Sequence, residues 1–412
     1  MGKYFSDIVE KAVSDIYYCY DNARATQAAD DLALAATEQE DGDACYILAR
    51  CFSRACQAWK YHPFEENQGA VYTMLRKGIF LGSAPAVVGA LRMGALNGEL
   101  LEIMPFSSIR EPWEMVLEKA EDGCPFCQYL VGSTFYYLDI RKLRETEEHD
   151  FVSQGDWEEW QRQQILEGVS WYEKAFENGM GLAGRNLIHY YDNGRAGLIP
   201  PEREMVRQVV KKGAELGYPD CMFDLACDLC RGDEKEEGLS WARRAAEMGH
   251  LEGWRLLGDA CRDGQGEEAL VRALECYEKA AAAGDDPDSS GQAGEMYFLG
   301  LGADRDYKKA VEYLEQNFAL RGNEGRPDIL GLCLLLGYGC ERDPERGRQL
   351  LEESRDTRYR SYGLGMMYAD GIGVDQDIKT GVGYLKAAGD YEPAREALKQ
   401  FKRGFWGGWK RR

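Results

Sequence analysis

The chain has little of what chemistry or membrane insertion usually requires. Histidine occurs four times in 412 residues, at His62, His149, His189 and His250. There is no His-Glu-x-x-His, Gly-x-Ser-x-Gly or Gly-Lys-Ser/Thr motif, so zinc-protease, serine-hydrolase and phosphate-loop chemistry lack their sequence carriers. No apolar run approaches the roughly 18 residues that a membrane span needs, which excludes stable membrane insertion as an expectation. Positive charge is also short: 50 Lys and Arg face 71 Asp and Glu, a formal charge of −21. A general nucleic-acid binder carries a basic footprint, so that class is set aside. A solvated acidic surface accounts for the excess, and selection for basic partners is the sharper reading. Residues 1–20 hold Asp7, Glu10, Lys11 and Asp15 at short intervals and no apolar signal core. The expectation is a cytoplasmic protein, unless a specialised secretion route is used.

What is abundant is glycine, 47 residues, and it recurs in a pattern. Gly264-Gln265-Gly266, Gly300-Leu301-Gly302, Gly337-Tyr338-Gly339 and Gly371-Ile372-Gly373 follow one another at intervals of 36, 37 and 34 residues. One such step before a helix suggests a phosphate cradle. Four at one period describe a turn built once per structural unit, the mark of a solenoid. A Leu/Ala-Gly pair and an aromatic or leucine precede the turn, as in Leu364-Gly365-Met366-Met367-Tyr368. Asp306, Asp343 and Asp377 each stand four residues past the second glycine, where they would cap a second helix. Pro344 after Asp343 is a first-turn proline. Each unit therefore reads as a helical hairpin: the glycine turn ends the first helix, and the second helix runs to a closing glycine. Closing glycines trace back through Gly249, Gly217 and Gly179 to weaker copies at Gly123, Gly82 and Gly42.

This arrangement resembles the Sel1-like repeat family, related to tetratricopeptide repeats, on Gly365, Tyr368, Gly371, Gly373, Asp377 and Tyr384 to Ala388. The resemblance implies an all-α, right-handed α/α superhelix, a solenoid of about ten helix hairpins. The expected organisation is a capping helix at 1–21, degenerate repeats at 22–160, regular repeats at 161–398 and a basic aromatic tail or cap at 399–412. Insertions interrupt the array near 54–68, with Trp59, Tyr61, His62 and Pro63, and near 139–167, with Trp157 and Trp160. Insertions in repeats map to loops, often on a binding face.

Thirteen cysteines, an odd number at irregular spacing, point to reduced thiols rather than to a disulfide framework. Cys124-Pro125-Phe126-Cys127 resembles the redox motif of glutaredoxins, but that motif needs a strand before it, and here it occupies a repeat slot. Cys227 and Cys230 lack a second pair to complete a zinc site. No metal or cofactor is expected. Met1 to Ser6 fit a short myristoylation pattern. In the tail, Lys399, Lys402, Arg403 and Lys410 to Arg412 surround Phe401, Phe405, Trp406 and Trp409. That segment either caps the last repeat or touches an anionic surface.

The resemblance implies a non-catalytic scaffold or adaptor that binds a protein or peptide on its concave face. The residue after each Leu-Gly pair points away from the stack in this reading. Arg50, His189, Asp259, Glu295 and Met366 then form a recognition stripe, with Trp157 and Trp160 as further candidates. Two alternatives stay open. One is a cysteine-dependent or β-lactamase-like enzyme, since cysteine-rich relatives have been linked to β-lactam hydrolysis. The other is a bacterial effector acting on host proteins.

Overall fold

The computed structural model describes residues 4–19, 21–53, 63–195, 197–264, 266–282, 286–403 and 408–412. Met1 to Lys3, Trp59, Tyr61, His62, Gln265, Phe405 and Trp406, which carried parts of the readings above, lie outside the described residues. The chain divides into two compact units, 1–250 and 251–412. Residue 160, where the regular repeats are expected to begin, lies within a continuous 24-residue helix.

In the N-terminal unit, fourteen helices are described: α1 (Asp7–Tyr17), α2 (Asn22–Glu38), α3 (Gly42–Cys51), α4 (Gln68–Phe80), α5 (Ala84–Arg92), α6 (Gly98–Ile103), α7 (Arg110–Glu121), α8 (Pro125–Tyr136), α9 (Ile140–Arg144), α10 (Gln154–Glu177), α11 (Gly181–Asn193), α12 (Arg203–Leu216), α13 (Pro219–Arg231) and α14 (Lys235–Glu247). Neighbours in sequence pack on each other in α1 with α2, α3 with α4, α11 with α12 and α13 with α14, and α8 packs on α10 across the second insertion. That insertion is not a plain loop. It forms α9, a 3-10 turn at Glu148–Asp150 and the first turns of α10. Gly82, Gly123, Gly179, Gly217 and Gly249 all take left-handed backbone at the hairpin ends. Gly42 does not: Glu40 adopts the left-handed turn (φ 54°), and Gly42 opens α3. A Cβ on Gly42 would sit 3.1 Å from the Gly78 carbonyl oxygen, so this glycine serves close helix packing instead.

The C-terminal unit is more regular. Its hairpins are α15 (Leu251–Arg262) with α16 (Glu267–Ala281), α17 (Pro287–Leu299) with α18 (Tyr307–Arg321), α19 (Pro327–Leu336) with α20 (Pro344–Glu353), and α21 (Arg358–Asp370) with α22 (Ile378–Ala387). Gly300, Gly337 and Gly371 end α17, α19 and α21 in left-handed conformation, and each N–H bonds back to a carbonyl of its helix. The second glycine has another task. A Cβ on Gly302 would lie 2.4 Å from the Leu270 carbonyl oxygen, and one on Gly339 2.2 Å from that of Tyr307. The turn thus closes one hairpin and seats it on the second helix of the preceding one. Asp306 accepts bonds from the Lys308 and Lys309 N–H groups, Asp343 from Arg346 and Asp377 from Thr380, so each caps its second helix.

The first Gly-x-Gly departs from this plan. Its loop is shorter, Gly266 stands directly before α16 with φ 101°, and no side chain caps that helix. The tail departs from a wholly helical fold. After α23 (Glu392–Leu398), strands β1 (Phe401–Arg403) and β2 (Trp409–Arg411) pair antiparallel. Phe401 is buried, Lys386 lies over the Trp409 ring at 4.6 Å, and Arg411 pairs with Asp370 at 2.9 Å. Charge and aromatics together hold this hairpin against the last repeat. Among the described residues no helix is long and apolar enough to cross a membrane.

Candidate protein-binding cleft

The side of the C-terminal unit formed by its first helices carries a cleft of about 400 Å³, between the N-terminal ends of α19 and α21. Its floor is Glu295, in the middle of α17, which is 6% exposed. Burial alone would push this carboxyl up. Arg326 Nη1 donates to it at 2.7 Å, Tyr359 Oη donates at 3.0 Å and Arg262 stands 3.7 Å away, and the net effect is a pKa below the ordinary value. Arg326 and Tyr359 lie 31 and 64 residues beyond Glu295, so three successive first helices converge on one carboxylate. Asp328, also buried, accepts from Thr357 Oγ1 at 2.9 Å and faces Arg326 at 3.6 Å.

The rim is different. Arg358 opens α21; its Nη2 donates to Tyr359 Oη at 2.7 Å, and its guanidinium lies over the rings of Tyr359 (4.8 Å) and Tyr391 (5.9 Å). Arg355 lines the same cleft from the preceding turn and is exposed. Glycine turns cannot build such a group. It depends on arginines and tyrosines placed at helix starts, where successive repeats bring them together. The local run Arg355, Arg358, Tyr359, Arg360 in an acidic chain was the available sequence signal.

The expected recognition stripe does not form one exposed row. Arg50 is buried in the N-terminal unit: its Nε donates to Tyr17 Oη at 3.1 Å, and its guanidinium lies 5.2 to 6.0 Å from the ring centres of Phe126, Tyr129, Tyr17 and Tyr46. Glu295 is buried in the cluster just described. Both positions face neighbouring helices, not solvent, because side chains from adjacent repeats fold over them. His189 is exposed and its ring meets the Asn193 amide at 3.2 Å. Asp259 is half-buried and accepts from Tyr277 Oη at 2.7 Å. Met366 is half-buried against the C-terminal core. Trp157 and Trp160 stack on each other at 5.2 Å, with Phe151 against both, so much of their aromatic surface is already used.

Cys124 is the N-cap residue of α8, and both it and Cys127 are buried. A hydrogen bond from the Cys127 thiol lowers the pKa of Cys124, helped by the Cys127 and Phe126 N–H groups, and the same hydrogen bond together with burial raises that of Cys127. Helix packing surrounds the pair, in contrast to the strand-flanked site of a glutaredoxin. Cys227 and Cys230 are half-buried on α13. Among the described residues no group of three or more His, Cys, Asp or Glu side chains is placed to hold a metal ion.

Six stretches, residues 158–180, 219–250, 255–285, 291–316, 329–356 and 361–390, match the Sel1 repeat. An uncharacterised protein of Neisseria meningitidis serogroup B is 23% identical over 195 residues, which cover 46% of this chain and 40% of that protein. The chain thus spans well under half the length of this curated relative. Among solved structures, a Sel1 repeat protein from Oxalobacter formigenes is similar at 20% identity, over 80% of this chain and 89% of its own, with a TM-score of 0.44. A protective antigen of uropathogenic Escherichia coli with an SLR fold is similar at 21% identity, over 92% and 83%, with a TM-score of 0.46.

Proposed function

Since the chain belongs to the Sel1 repeat family, we propose that it is a non-catalytic interaction scaffold whose C-terminal repeats present a recognition surface. Sel1 repeats generally mediate protein binding. The observation that carries the reading is the cleft at Glu295, Arg326 and Tyr359. Its floor is a buried ion cluster held by hydrogen bonds, and its rim offers the exposed Arg355 and Arg358. Arginine is among the side chains enriched at interface hot spots. His189, Asp259 and Met366 are secondary candidates, since part of each stays accessible.

No observation favours the thiol-enzyme reading, because Cys124 and Cys127 sit in the packed interior. The proposal places the protein in the cytoplasm; a secretion assay separates this from action on host proteins. The test of the scaffold reading is affinity capture from the source cell with the full chain, followed by mass spectrometry. A reproducible set of proteins enriched over a bead control is the expected outcome. A chain that enriches nothing under gentle salt sinks the reading.

A further inference from the structure

The cleft is walled by two carboxylates that are already bonded and rimmed by two arginines that are not paired with acid, and we propose that it binds an acidic segment of a partner protein. This inference rests on the scaffold reading and names the chemistry of the partner. A partner Asp or Glu carboxylate would be held by Arg355 and Arg358, above the buried cluster of Glu295, Arg326 and Tyr359.

Four observations support an anionic occupant. First, Glu295 and Asp328 have their oxygens engaged by Arg326, Tyr359 and Thr357, and neither forms an ion pair with Arg355 or Arg358. Second, no carboxylate lies within ion-pair distance of Arg355 or Arg358 among the described residues, although acidic side chains are close in sequence. Asp356 pairs with Arg360, and Glu353 accepts from Asn323. Third, the Arg358 guanidinium lies 4.8 and 5.9 Å from the Tyr359 and Tyr391 ring centres and gives one Nη2–H to Tyr359 Oη, which holds it at the rim; no other hydrogen bond engages it among the described residues, so N–H groups remain for a two-oxygen acceptor. Fourth, α19 and α21 both direct their N-terminal ends at the cleft, and their dipoles add to the positive potential. This local field stands out because the C-terminal unit is close to balanced, with 24 Lys and Arg against 29 Asp and Glu.

A protein segment suits the site better than a small acid does. The cleft is an open groove whose walls come from separate repeats, and it holds only a side chain or two of a longer ligand. A peptide's remaining length would lie along the first helices.

The test is fluorescence anisotropy of the full chain with fluorescein-labelled hexaglutamate at low salt, with hexaglutamine as the neutral control. Three proteins are compared: wild type, Arg355→Gln/Arg358→Gln, and a tail variant, Lys410→Gln/Arg412→Gln, which reports general attraction to the basic terminus. Wild type is expected to bind hexaglutamate and not hexaglutamine. The rim variant is expected to bind about tenfold more weakly, as for the loss of desolvated charge contacts, and the tail variant within about twofold of wild type. Thermal unfolding of the rim variant should stay within a few degrees of wild type, since Arg355 and Arg358 are both exposed and only the Arg358 contacts to Tyr359 and Tyr391 are lost. The proposal is overturned if the tail variant loses the binding and the rim variant keeps it, if hexaglutamine binds equally, or if wild type does not bind. Inorganic phosphate that displaces the peptide at equal concentration also overturns it, as it marks a general anion site. Proteins captured equally by wild type and the rim variant would leave the scaffold reading intact while removing this one.

Discussion

Glu295 shows how much one residue can organise. Its carboxylate is buried, and it remains charged only because Arg326, Tyr359 and Arg262 outweigh the cost of desolvation. Glu295→Gln should destabilise the C-terminal unit by about 2–3 kcal/mol in urea unfolding at neutral pH, because it leaves Arg326 without its strongest partner. The pH dependence has a definite sign. The folded pKa is depressed, so the contribution is present above the ordinary glutamate value and is lost as pH falls through the folded one. The gap between wild type and Glu295→Gln should therefore narrow in acid; a gap that is constant from neutral pH to pH of about 3 would count against this account. The identity of Glu295 as a notable residue was legible in the sequence, from its place after Ala293-Gly294. Its burial was not, because Arg326 and Tyr359 come from other repeats, and no local pattern announces their convergence.

At the scale of the element, the hairpins depend on glycine for contact as much as for turning. In the α19–α20 hairpin, a Cβ on Gly347 would lie 2.7 Å from the Leu335 backbone nitrogen and 2.9 Å from the Gly331 carbonyl oxygen. Alanine is favoured over glycine in a helix by about 1 kcal/mol. Gly347→Ala should nonetheless destabilise by roughly 1–3 kcal/mol in denaturant titration, since backbone cannot yield as a side chain can. A stabilised variant would show that the two helices are free to separate. The terminal β-hairpin makes a second prediction. Ending the chain at Arg403 removes β2 together with the Trp409–Lys386 and Arg411–Asp370 contacts. Thermal unfolding should fall by several degrees, at about 2–4 °C per kcal/mol for a unit of this size. An unchanged midpoint would mean that the hairpin does not support the last repeat. The aromatic and basic composition of this tail suggested a cap. That the tail forms a strand pair was not legible, because two three-residue strands are fixed by what they pack against.

For the whole molecule, the notable resource is tyrosine, with 24 residues, many of them buried between helices. Burial raises the folded pKa of Tyr313 to about 12 and raises Tyr172, Tyr191, Tyr277 and Tyr362 as well. Above pH of about 10 the unfolded chain releases phenolic protons that the folded chain retains. It then binds fewer protons than the native state, and stability must fall as pH rises. In an alkaline titration, tyrosinate absorbance should rise in a second phase together with loss of the helical circular dichroism signal. Complete titration near pH 10 with helix intact would contradict the burial of these rings.

The sequence by itself determined the repeat: its period, its glycine turns, its Asp caps and its helical class. These are local, set by backbone conformation and hydrogen bonding within a few residues, and so they are written in consecutive positions. Only the tertiary structure decided which charged residues are interior, where the cleft opens and that Gly42 packs instead of turning. Those outcomes depend on side chains from separate repeats meeting at a few ångströms, and on the balance of burial against pairing at each contact.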